Sequence, residues 1–485
     1  MTNRTPAAAF RPQRASTRVL RATCALGWVA ACVAPGMAQE ATGMQGLRGS
    51  TTTTTTTTDT TTPQAARTED PALALDANSF RRITNDALDA NRINLRQSAI
   101  DDRRALKKTN DDGTGIRLGT MILRPEVSQG ASVERKSDSS GTRQNTTYWD
   151  NGLKGTLTSD WSRHELTVTG DGTWREKIAG DSDNDPSGQV NAELRLDLAN
   201  DMAARLTAGY AYSRESNTDP NAIRDATVQS GVTQYTTGAV LSRDIGKLRG
   251  SVGVELQRWT YGDAQLSDGS TLNNSDRNRN AITLSSRLGY EISPALAPFI
   301  EVSAGKTRYD QTSDSSGYQR SGDIYGAKAG IASDFGEKLR GEFALGYKQA
   351  SFDDARLDSM GAMTLDSTVN WSPRRGTNVA LGLGTSIEPS TTAGISGDVA
   401  YALTAAITHE LRENLVARLS GGTTWRNYQN ASQYNSMDYT AGAGLTYHIS
   451  RSLDLTADLA WERTKSDDGS SDRTLTAGIG LKLKR

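Results

Sequence analysis

Cysteine is almost missing from this chain of 485 residues: it has two, Cys24 and Cys32. Both lie in the first 38 residues, so the rest of the chain can hold neither a disulfide framework nor a thiolate metal site. No apolar run of ~20 residues follows that segment, which excludes a helical membrane protein. Histidine occurs three times, and aromatic residues make up 6% of the sequence. Charge of one sign is also lacking. The 55 Lys and Arg nearly balance the 56 Asp and Glu, so the basic surface that nucleic acid requires is absent. Only 35% of residues are hydrophobic, too few for the two or three dry cores that the length would allow. What is plentiful is glycine, with 46 residues, together with serine and threonine. That mixture suits a β-rich protein with a polar interior.

The N-terminus reads as a targeting segment. Arg4, Arg11, Arg14, Arg18 and Arg21 precede an apolar stretch, Ala22 to Ala34, that leads to Gly36-Met37-Ala38. A basic start, a short apolar stretch and small residues at −3 and −1 are the marks of a secretory signal peptide, with cleavage expected after Ala38. Val29-Ala30-Ala31-Cys32 offers a lipoprotein box as the alternative. Cleavage after Ala38 would remove five Arg and no acidic residue, leaving 50 basic against 56 acidic groups and a net charge of −6. Within 39–78, the run TTTTTTTTDTTT at 51–62 has no apolar face to bury and is expected to be a disordered linker. Residues 79–114 read as a polar periplasmic or plug-like segment, dense in Arg, Asp and Asn.

From about Gly119 onward, apolar and polar residues alternate with a period of two. Leu339, Gly341, Phe343, Leu345 and Tyr347 interleave with Arg340, Glu342, Ala344, Gly346 and Lys348. Val190, Ala192, Leu194, Leu196 and Leu198 do the same with Asn191, Glu193, Arg195 and Asp197. Each such run has one apolar and one polar face. Short turns, such as Asn200–Asp201, Arg412–Glu413 and Ser450–Arg451, alternate with longer polar stretches, such as REKIAGDSDNDPSGQ, SRESNTDPNAIRDAT, GDAQLSDGSTLNNSDRNRN and TKSDDGSSD. The count is about 18 strands over 115–485, with both ends on the short-turn side. A soluble sandwich also alternates its faces, but has no reason to sort loops by length between two ends. The expected fold is all-β, a transmembrane up-and-down antiparallel barrel, whose closure satisfies every backbone group in lipid. Trp161, Tyr290, Phe335, Trp371 and Tyr447 fall near the short turns. Trp174, Tyr212, Trp259, Tyr309, Trp425 and Trp461 fall near the long loops. Together they predict two aromatic girdles at the membrane interfaces.

The stretch from Gly115 to Glu126, GIRLGTMILRPE, resembles the opening strand of the putative β-barrel porin 2 family. Arg92-Ile-Asn-Leu-Arg96 and Gly480-Leu-Lys-Leu-Lys-Arg485 are similar to alphaproteobacterial members of that group. The resemblance spans roughly residues 90–485. It implies an outer-membrane barrel, with some members placed near exopolysaccharide export, and brings no catalytic residues. Gly478, Leu481 and Leu483 fit a barrel-assembly signal in the last strand, although the chain closes on Lys484-Arg485 in place of an aromatic residue.

Little else suggests chemistry. His164, His409 and His448 fall at the periplasmic rim, where a scattered histidine is usually a solvated polar group. Asp181, Asp183 and Asp185 have the spacing of a calcium loop, but Pro186 stands where an EF-hand needs glycine. Gly382-x-Gly384 and Gly442-x-Gly444 precede no helix, so they cradle no phosphate. The reading is of no enzyme and no cofactor.

Strand parity instead places Arg124, Glu126, Lys154, Arg195, Arg205, Arg249, Arg287, Lys328, Arg340, Glu342, Asp366, Arg418 and Asp458 on the lumen face. Such charges are costly in a dry core and tolerable in the aqueous channel of a 16–18-stranded barrel. The leading expectation is a water-filled pore for small hydrophilic solutes or a secreted glycan. The second is a plugged structural or adhesin-like barrel. A TonB-dependent transporter is excluded, since it needs ~22 strands and a larger plug. Expected partners are outer-membrane lipid and lipopolysaccharide, the barrel-assembly machinery and polysaccharide-export components, but no nucleic acid.

Overall fold

The computed structural model describes residues 115–485, apart from 138–140, 142, 181–182, 216–220, 224–225, 267, 337 and 430. The expected signal peptide, threonine linker and polar 79–114 segment all lie outside the described residues. Eighteen long strands follow one another. The first six are β1 (Met121–Ser137), β2 (Arg143–Ser159), β3 (Glu165–Gly180), β4 (Asp185–Asp197), β5 (Met202–Arg214) and β6 (Gly231–Ile245). Next come β7 (Leu248–Tyr261), β8 (Arg279–Tyr290), β9 (Leu296–Tyr309), β10 (Gly322–Asp334), β11 (Leu339–Phe352) and β12 (Met360–Arg374). The last six are β13 (Thr377–Pro389), β14 (Gly397–Arg412), β15 (Leu415–Tyr428), β16 (Ser436–His448), β17 (Leu453–Ser466) and β18 (Ser471–Lys484). Each pairs antiparallel with the next, and β18 returns to β1 from Glu126↔Lys484 to Ser137↔Arg473. The sheet is a closed barrel. Closure gives every barrel strand a partner on both sides over at least part of its length.

Local chemistry explains the sharp turns. Asn200 and Asp201 both take φ near +60°, which a two-residue hairpin turn of the primed type demands and these residue types tolerate. Gly246, Gly336 and Gly376 supply positive φ at three other tight turns. The long connections are fewer than the polar stretches suggested. β3 runs to Gly180 and β4 starts at Asp185, with Trp174 opposite Pro186 and Arg175 opposite Asp185. Most of REKIAGDSDNDPSGQ is therefore strand, and so is most of TKSDDGSSD, where Lys465 pairs with Ser471. Polar strands pair well in water beyond the bilayer, so a hydrophilic stretch is not by itself a loop. The β7–β8 connection carries two short strands, Ala264–Leu266 and Thr271–Leu272, which join Ala226–Val228 of the β5–β6 connection in a small separate sheet.

The alternation sorts side chains between the two faces. On β11, Phe343, Leu345 and Tyr347 are about half exposed on the outside, whereas Glu342, Ala344 and Lys348 are buried inside. Outward apolar residues such as Leu153, Leu256, Leu284, Ile300, Leu403 and Ile479 continue this band around the wall. A surface this apolar needs lipid, and a monomer in water rarely shows one.

Candidate functional site

The interior is a lattice of ion pairs that cross from strand to strand. Arg287 on β8 faces Glu301 on β9, which in turn faces Lys328 on β10. The Arg287 guanidinium donates to Glu301 at 2.7 Å and to both oxygens of Glu342, two strands further on, at 2.5 and 3.0 Å. It also lies 3.7 Å from the centre of the Phe299 ring. Lys328 reaches Glu301 and Asp366, each at 3.4 Å. Register thus builds a belt across β8–β12, and each charge in it meets an opposite one.

Other members of the sequence-derived lumen set also have partners, within a strand or across to a neighbour. Arg205 meets Glu193 at 2.8 Å, Arg195 meets Asp197 at 3.1 Å, and Arg249 pairs with Glu291. Glu126 binds Lys482 at 3.1 Å across the closing seam, and Arg340 leans on Asp334 at the short-turn rim. Arg124 donates to Thr158. Lys154, Arg418 and Asp458 lie on the inward parity of β2, β15 and β17, partly buried. Glu342 is not a freely hydrated lumen group. It is 6% exposed and bound by Arg287, so an arginine at this position would set two like charges together in a buried site.

The aromatic residues divide. Trp161, Trp174, Tyr290, Phe335, Trp371, Trp425 and Tyr447 are exposed on the outer face, between 40% and 59%. Tyr212 and Trp461 follow the outward parity of β5 and β17. Trp259 and Tyr309 do not belong to a girdle. Trp259 is 2% exposed and packs with Val232, Tyr261 and Ala281 inside the barrel. Arg279 lies over its ring at 4.6 Å and over Tyr309 at 5.7 Å. The reason is parity: Leu256, Val254 and Val252 point out, so odd-numbered Trp259 points in. Brominated lipids are therefore expected to quench Trp174 and Trp425 and to leave Trp259 bright, as single-tryptophan variants in vesicles would show. Equal quenching of the three would put Trp259 back on the lipid face.

Residues that the sequence reading passed over gather at the long-loop end. Arg426 on β15 is surrounded by Glu388, Asp398 and Asp438, all four buried. Arg277 pairs with Glu215 and stacks on Tyr261 at 4.1 Å. Arg175 holds Glu134, Asp150 and Asp185, so Asp185 serves a guanidinium. No local motif marks these groups, because their partners are distant in sequence. The histidines sit at the short-turn end with partners: His164 accepts from Asp197 N–H, His409 bonds Thr377, and His448 bonds Asp454 at 2.8 Å. Gly382, Gly384, Gly442 and Gly444 all lie within strands.

A closed barrel with lipid-facing apolar residues and a charged interior narrows the comparison to outer-membrane proteins. The pattern of the family described as "Putative beta-barrel porin 2" matches residues 111–485. The chain belongs to that family. It is a porin-like barrel of the Gram-negative outer membrane. No curated protein matches the sequence. Among solved structures, OccAB4 of Acinetobacter baumannii is similar at 10% identity and a TM-score of 0.40, covering 75% of this chain and 98% of that one. OpdL of Pseudomonas aeruginosa gives 13% and 0.39, covering 76% and 99%. OpdQ of the same organism gives 10% and 0.38, covering 75% and 99%. At this distance the likeness concerns the barrel fold alone.

Proposed function

We propose that the barrel is a water-filled channel for small hydrophilic solutes, acting by passage and not by catalysis. The observation that carries this reading is the charged inner wall. Arg205, Arg287, Lys328, Glu301, Glu342 and Lys348 all point inward on separate or neighbouring strands. Such a density of ionised groups is stable only where water or an opposite charge meets each one. Both signs are present in near balance, so the field along the lumen is mixed. Weak ion selectivity follows, with neutral and zwitterionic solutes, sugars among them, admitted as readily as ions. An exported polysaccharide fits the same chemistry, since hydroxyl-rich chains replace water at a wall of paired charges. Export through the N-terminal signal peptide, and lipopolysaccharide against the outer girdle, are parts of the same proposal.

In planar bilayers the purified protein is expected to give discrete, weakly selective conductance steps, and proteoliposomes should swell in small sugars. A folded, heat-modifiable barrel that neither conducts nor swells would favour the plugged structural barrel.

A further inference from the structure

The wall of this barrel splits along one line. Pairing between β12 and β13 runs up to Ser367↔Leu383 and then stops. The neighbouring ladders go on, from β11 to β12 as far as Ala350↔Met360 and from β13 to β14 as far as Pro389↔Gly397. At the split, Thr385 substitutes for the missing ladder: its hydroxyl accepts from Leu365 N–H at 2.9 Å and faces Leu365 O at 3.3 Å. Asp366 accepts from Thr385 N–H at 3.3 Å.

Burial shows which way the hairpin has gone. Ile387 and Val399 lie on the outward parity of β13 and β14, as Leu383 and Leu403 do, yet they are 4% and 3% exposed. They pack against Ala350, Met360 and Ala362, which lie on the inward face of β11 and β12. An outward side chain can touch its neighbour's inner face only if its own strand has moved inside. The rim then closes over the gap. Gln429, just after β15, donates to Gly361 O at 2.7 Å, and Tyr401 donates to Met363 O at 3.3 Å.

The tip reaches far across the mouth. Arg320 of the β9–β10 loop donates to Ile395 O and Thr392 O at 2.9 and 2.8 Å, braced by Asp314. Asn221 of the β5–β6 loop accepts from Thr391 N–H at 2.9 Å and donates to Pro389 O at 3.3 Å. Strands β5 and β13 are eight positions apart in a ring of 18, so these two connections meet above the lumen from nearly opposite walls. Arg426 clamps the root through Glu388 and Asp398. The loop around Arg320 is braced in turn by Asp354, which accepts from Gln319 N–H at 3.0 Å. The Arg356 guanidinium and backbone N–H bonds hold its carboxyl well below the usual carboxylate range. A depressed carboxylate keeps its contact as pH falls, until that lowered value is crossed. Mild acidification therefore leaves the brace in place.

We infer that the infolded end of the β13–β14 hairpin is the constriction that decides which solutes enter the barrel. Its effect on flux rests on the channel reading, but its position does not. The tip, Ser390-Thr-Thr-Ala-Gly-Ile-Ser396, carries no charge, so it filters by size and hydrogen bonding and leaves the ion preference to the wall beneath.

Two variants test this. In one, residues 390–396 are replaced by Asn-Gly. The other carries Asn221→Cys and Thr391→Cys with Cys24→Ser and Cys32→Ser, so that oxidation pins the tip and reduction frees it. Each is also made with Thr283→Cys, an inward residue of β8, labelled from the outside with a bulky membrane-impermeant maleimide. Shortening should raise single-channel conductance at least twofold with unchanged ion selectivity, and speed labelling at residue 283 at least tenfold. In the pinned variant, oxidation should suppress conductance fluctuations that return on reduction. Faster labelling without conductance in any variant would uphold the constriction while removing the channel reading. Equal conductance in conducting proteins, or equal labelling rates, would overturn the constriction.

Discussion

Replacing Arg287 with alanine is expected to cost the barrel about 3–5 kcal/mol of unfolding free energy, the penalty for breaking a buried ion pair from one side. The guanidinium is almost wholly buried between Glu301 and Glu342 and covered by Phe299. Its removal leaves two carboxylates facing each other across β9–β11, with Lys328 as the nearest compensating charge for Glu301. Neutralising the partners should undo most of the damage. The triple variant Arg287→Met, Glu301→Gln, Glu342→Gln is expected to fall within ~1–2 kcal/mol of the parent, since uncharged groups need no counter-ion. Arg258 provides the contrast: it binds Asp310 with both groups about one-third exposed, so Arg258→Ala should cost only ~0–1 kcal/mol. Urea titration of the protein refolded into vesicles, followed by heat-modified gel migration, gives the three values. A loss below ~1 kcal/mol for Arg287→Ala would mean that the belt is hydrated and that water, not pairing, stabilises the wall.

The strands and their in–out parity were legible because each rests on local information. A run such as Leu339–Tyr347 states its period within nine residues, and Asn200-Asp201 states its turn within two. The errors arose where residue type was weighed above position. Trp259 and Tyr309 look like interface aromatics, but counting from Leu256 and Val302 already puts them inside. Ile387 and Val399 are the opposite case. Parity marks them as lipid-facing, and no nearby residue signals that their hairpin leaves the wall. The tip of that hairpin is held by Arg320 and Asn221, roughly 70 and 170 residues before it. Contacts of such separation leave no periodic trace. The belt around Arg287 was half legible: its inward facing could be counted, but its partners needed the register of five strands.

Leu345→Arg tests the other face. Leu345 stands near the middle of β11, opposite Ala329 on β10 and Leu365 on β12, and is 47% exposed on the outside. If the hydrocarbon lies against that point, an arginine there must snorkel toward an interface or thin the bilayer. Either response costs about 2–4 kcal/mol at the midplane of a barrel. Gln349 lies four residues further along the same outward row, next to Ser351 and toward the long-loop end. Nearer the strand end, Gln349→Arg is expected to cost no more than ~1 kcal/mol. Neither residue bonds to the inner belt, so the difference between them isolates membrane depth from packing. Refolding yield and urea midpoint in lipid vesicles should separate the two variants clearly. The same pair in a detergent micelle should lie closer together, because a micelle deforms around a charge more easily than a bilayer does. Matching midpoints in vesicles would show that Leu345 does not meet the hydrocarbon, and that the apolar band on this wall has some other partner.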